Sequence, residues 1–141
     1  SPLSVDPGMV GFSLPILRSS AGRAYLSVCG ARELEMIIEL LRAENLPEDM
    51  PFLRKKWLEE KLIIYAEQGY ATRGPHTFRP KTSSLAVPIQ TDDRAVGCLS
   101  IIWVTKALNM DQAVERYADA LQFAAASIAT EYETLEISGW H

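Results

Sequence analysis

In LPILRSSAGRAYL, residues 14–26, an apolar run stops at Arg-Ser-Ser-Ala-Gly and restarts with helical character. If Ser19 or Ser20 caps that helix, the amides of Ser20 and Ala21 fall in its first turn. N–H groups there have no intrahelical acceptor, and the helix dipole favours an anion. A carboxylate would then be held by backbone alone, although an ordinary capped turn uses the same residues. Two further hydroxyls stand in apolar runs: Ser84 opens SLAVPIQ and Ser100 interrupts AVGCLSIIWV. A serine buried in a sheet must find a partner, either a neighbouring carbonyl or a ligand.

Covalent and metal chemistry have little to stand on. The sequence holds no GxSxG elbow, Walker loop, HExxH or Rossmann glycine pattern. His76 is the one histidine away from the terminus, and nothing in the spacing brings Cys98 or Ser100 to it as a nucleophile. Cys29 and Cys98 match no metal or redox spacing and read as small core hydrophobes of a protein kept in a reducing, cytoplasmic compartment. No catalytic residue, metal or cofactor is expected.

The elements that must position the turn and the serines follow from periodicity. A short helix is expected from about Ala21 to Val28, ended by Gly30. Leu34, Ile37, Ile38 and Leu41 make the stripe of an amphipathic helix. Asp49 should cap a longer helix that ends near Gln68, before Gly69, with Leu53, Trp57, Leu58, Leu62 and Tyr65 on one face. YATRG reads as a short strand and PHTFRPKTS as a loop. SLAVPIQ and AVGCLSIIWV form a hairpin about Asp92-Asp93-Arg94, and the second strand, apolar on both faces, is expected at the centre of the sheet. Asn109 and Gln112 spell a capping box for a last helix running into the mid-130s, with Val114, Tyr117, Leu121, Ala124 and Ile128 buried.

These elements make an α+β domain with a largely antiparallel sheet. A chain of 141 residues with 48% hydrophobic composition fits one domain, residues 1–141. A net charge of −4, with its basic residues scattered, argues against a nucleic-acid surface, and Arg54-Lys55-Lys56 reads as a solvated helix face. No apolar stretch is long enough for a membrane span, so no membrane partner is expected.

Taken in order, LPILRSSAGRAYLSVC, GYATRG, SSLAVPIQTDDRAVGCLSIIWV and AVERYADALQFAAASIA resemble the effector-binding domain of IclR-type bacterial transcription regulators, nearest the branch that controls aromatic-acid catabolism. The resemblance runs from Met9 to about Ile128. It implies a GAF-like fold, an antiparallel sheet flanked by helices, that binds a small organic acid and forms a homodimer or homotetramer. It also implies that DNA is read by a winged helix-turn-helix which, with the first pieces of the effector domain, is expected to be missing before Ser1.

Carried over by position, the family's acid pocket uses the amides of Ser20 and Ala21, a side chain at Ser84 and the hydroxyl of Ser100. The glyoxylate- and pyruvate-binding member has a second serine where this chain has Ile102, and an aspartate where it has Arg73. Both departures fit a larger acid, a monocyclic aromatic one, with Arg73 free to pair with a carboxylate or phenolate. Met9, Phe12 and Leu14 are candidate apolar walls. Leu99 and Trp103 are others, although strand alternation forbids both from sharing a face with Ser100. The competing readings are a GAF-like dimerisation domain without a ligand and a small enzyme acting on a carboxylate or thioester.

Overall fold

The computed structural model describes residues 14–92 and 94–139. Helix α1 spans Ser20–Val28, α2 Ala31–Glu44, α3 Lys55–Gln68 and α4 Met110–Ile137; strands β1, Ala71–Arg73, β2, Thr82–Gln90, and β3, Ala95–Val104, form an antiparallel sheet in the order β1-β2-β3. The expected α+β architecture is therefore present.

Ser19, not Ser20, caps α1: it sits in extended backbone, and its Oγ accepts the Gly22 amide at 3.1 Å. Gly22 is required there, because a Cβ on it would lie 2.0 Å from the Ile16 carbonyl oxygen. The incoming chain thus crosses directly over the first turn of α1. At the other end Cys29 ends the helix, and Gly30 opens α2 instead.

Two expectations about the sheet and its helices need correction. Strand β2, not β3, is central: Ser83 to Val87 are all buried, whereas β3 is mostly half-buried and lies at the edge among the described residues. The apolar residues of β3 face two different layers, which mimics the pattern of a strand enclosed on both sides. Asp49 does not cap α3, which begins six residues later at Lys55; it begins a single 3-10 turn, Met50–Phe52, and makes an ion pair with Arg18 at 2.9 Å.

Helix α4 opens with the complete capping box of Asn109 and Gln112. It lies on one face of the sheet, where Leu85, Val87, Ile89 and Trp103 meet it. Its fully buried residues are Ala113, Ala118, Ala125 and Ala129; Ile128, expected in that stripe, is exposed. Short side chains at the contact let the helix approach the sheet closely, with Val114, Tyr117 and Leu121 packing along its flanks. Against the other face lies α1, with α3 packed on α1. Leu17, Ala24, Leu26, Leu62, Tyr65, Ala71 and Ala86 form the core of that layer.

Candidate functional site

Antiparallel register puts directly paired side chains on one face. Arg73 pairs with Ser84 and Ser84 with Ile102; Ala71 pairs with Ala86 and Ala86 with Ser100; Pro88 pairs with Cys98. Arg73, Ser84, Ser100 and Ile102 therefore share the face that carries α1. Cys98, on the same face, donates its S–H to the Ala21 carbonyl at 3.3 Å and fixes the first turn of α1 against β3. The sequence-derived candidates Ser20, Ala21, Arg73, Ser84 and Ser100 thus belong to one layer of the molecule. Leu99 and Trp103 do not: both point to the α4 face. Leu14 is exposed at the start of the described chain, and Met9 and Phe12 lie outside the described residues.

Within the first turn, Ser19 Oγ takes the Gly22 amide and the Ser19 carbonyl takes that of Arg23. The amides of Ser20 and Ala21 precede every possible intrahelical acceptor. Ser100 is exposed, and its hydroxyl is not tied to any described residue. Ser84, by contrast, is buried, and its Oγ accepts the Nε–H of Arg73 at 3.1 Å.

Arg73 is the centre of the site's electrostatics. Only 1% of its surface is exposed, and no carboxylate pairs with it among the described residues. Its Nη1 donates to the carbonyls of Gly74 (3.1 Å), Thr82 (2.9 Å) and Phe78, and its Nη2 to Thr82 Oγ1 at 3.0 Å. Burial, with repulsion from Arg23 and Arg79, lowers its pKa to about 10, so it is still a cation at neutral pH.

Sequence reasoning missed Arg23, which stands on the same buried row of α1 as Ser20 and Leu26. It is 5% exposed, donates to the carbonyls of Leu17 and Thr72 at 2.8 Å each, and stacks on Phe52 and Trp57. Desolvation lowers its pKa, the neighbouring Tyr65 opposes that shift, and its Nη2 has no hydrogen-bond partner among the described residues. Its place three residues from both Ser20 and Leu26 was the available signal.

His76 is exposed on the β1–β2 loop, and both cysteines are free thiols whose pKa values burial pushes up. Neither environment activates a nucleophile. No cluster of metal-ligating side chains occurs among the described residues. Two open spaces among the described residues lie apart from these candidates: a cleft of about 330 Å³ lined by Tyr65, Gly69, Pro88 and Gln122, and a groove of about 540 Å³ between α2 and α3 lined by Leu34, Ile38 and Leu58. No helix of the described residues is long and apolar enough to cross a membrane.

No protein-family profile matches the sequence. Solved structures do. The chain superposes on a Rhodococcus sp. RHA1 protein assigned as a transcriptional regulator with a TM-score of 0.74 and 18% identity, over 89% of this chain and 53% of that one. It matches the inducer-binding domain of the PobR transcription factor of Acinetobacter, solved as a double mutant with 3-hydroxybenzoic acid, at TM-score 0.70 and 16% identity over 89% of this chain and 73% of that one. An IclR-family regulator of Brucella abortus gives 0.65 and 25% over 87% and 45%. The fold is shared with these regulators, and the chain spans about half the length of the first and third.

Proposed function

We propose that this chain is the ligand-sensing domain of an IclR-type transcriptional regulator, and that it senses a small, monocyclic aromatic acid. The observation that carries the reading is a buried guanidinium, Arg73, that no carboxylate of the described residues pairs with and that shares a sheet face with two serines and a helix N-terminus. Burying an unpaired charge is costly, and an acid would supply the missing one. Its carboxylate is assigned to the Ser20 and Ala21 amides and the Ser100 hydroxyl, with Arg73 and Ser84 at the ring's polar substituent. Leu14, Met9 and Phe12 are assigned as apolar wall. The fold shared with a hydroxybenzoate-bound inducer domain supports an acid of that size. In the whole regulator, a homodimer or homotetramer in the cytoplasm, a separate winged helix-turn-helix reads DNA and this domain biases it. The domain performs no chemistry on its ligand.

Thermal unfolding and calorimetry with 3-hydroxybenzoate, 4-hydroxybenzoate, glyoxylate and pyruvate test this. A ligand at 100 times its Kd stabilises by about 2.7 kcal/mol. The expected result is stabilisation by a hydroxybenzoate and not by the two- and three-carbon acids. Ser20→Pro deletes one amide at the first helical position, where proline is tolerated and the extended Ser19 suits a following proline. It should fold and bind the acid at least tenfold more weakly, about the worth of one charged hydrogen bond. Unchanged affinity would place the acid elsewhere.

A further inference from the structure

Residues 74–81 connect β1 to β2, and two of them, Arg79 at φ 54° and Lys81 at φ 70°, hold left-handed backbone without being glycine. Such a loop needs something to hold it. Arg73 does so from inside: its Nη1 gathers the carbonyls of Gly74, Phe78 and Thr82, and its Cζ lies 5.8 Å from the centre of the Phe78 ring. Thr82 completes the clasp, its Oγ1 accepting from Arg73 Nη2 and donating to the Arg79 carbonyl at 2.6 Å.

The arrangement is unevenly filled. Nη1 has two hydrogens facing three carbonyls, while Nη2 has two hydrogens and one acceptor among the described residues. A carboxylate or phenolate arriving on the Ser84 face meets the side of the guanidinium with a donor to spare. Charge-assisted bonds to an anion are stronger than those to carbonyls.

We propose that Arg73 is a ligand-operated clasp: an acid bound on the Ser84 face draws the guanidinium off the Gly74 and Phe78 carbonyls and releases loop 74–81. The loop, not the acid's first contacts, is then the moving part that reports occupancy. This rests on the acid-sensing reading above.

Hydrogen exchange of the chain with and without saturating 3-hydroxybenzoate and 4-hydroxybenzoate, beside calorimetry, separates the two. Expected are faster exchange across residues 74–81 and slower exchange in α1 when the acid binds. Thr82→Val removes an acceptor of the clasp without touching the assigned carboxylate contacts. It should speed loop exchange in the free chain and tighten acid binding about three- to tenfold, the worth of one hydrogen bond. Thr82→Ser should restore the parental behaviour, and Arg73→Lys, which cannot hold several carbonyls at once, should loosen the free loop. An acid that binds while the loop stays unchanged or slows, or a folded Thr82→Val that binds no tighter, overturns the clasp and leaves the sensing reading standing. If neither acid binds, the sensing reading falls and the clasp with it.

Discussion

Arg73 shows how far a sequence can place a residue and where placement ends. Only the resemblance grouped Arg73, Ser84 and Ser100; alternation works within one strand, and it is the register between strands that sets the three on one face. What Arg73 bonds to depends on the path of eight loop residues, which no periodicity encodes. Its cation has a measurable consequence: acid affinity should fall below about pH 4, where carboxylic acids take up a proton, and stay level from about pH 6 through neutral pH, where the guanidinium keeps its charge. Calorimetry in matched buffers reads that. Tyr25 gives an independent pH signature. Its hydrogen bond to Glu33, then burial, raises its pKa from 10.0 to about 12. A raised pKa stabilises the fold fully below the ordinary value and the effect is lost as pH climbs through the folded one. In an ultraviolet titration Tyr25 should ionise near the top of the range, and Tyr25→Phe should remove that step. Gly22→Ala, whose new Cβ meets backbone and not a movable side chain, should cost about 3 kcal/mol or more in a denaturant melt.

Helices were the most legible elements, because apolar residues at helical spacing need no partner to be recognised. Their ends and depths were less so. Asp49 reads as a cap by type alone, yet it is buried against Arg18, a partner 31 positions away. Asp49→Ala should therefore cost about 1.5–3 kcal/mol, the worth of a hydrogen bond between charged groups, since it removes the acceptor of the part-exposed Arg18 guanidinium; loss of a surface cap costs about 1. Helix α2 has a clear apolar stripe, but none of its residues is fully buried, and Leu40 is 66% exposed. Periodicity reports a face, and depth depends on what covers it. In the isolated chain, α2 amides should exchange well before those of β2 and α4. Equal protection would mean that another surface covers the helix in solution.

Across the molecule, the sheet separates two tasks. One face is sealed by the alanine-lined α4, while the other carries α1 and the serine–arginine row. This division explains why β3 looked central in sequence: it has an apolar residue for each layer. Strand β1 is only three residues long, so its pairing with β2 stops at Ala86. Beyond it, β2 continues through Val87, Pro88, Ile89 and Gln90 with no strand of the described residues on that side. An unpaired stretch of such residues is a template on which another chain could add itself and start a fibril. Proline at 88 offers no N–H to such a recruit and breaks the hydrogen-bond ladder where it would begin. Pro88→Val should leave the native contacts nearly intact and make the protein cloud sooner in a light-scattering time course at raised temperature. The residue's main service is then to the population of molecules, by keeping each copy from becoming a seed for the next.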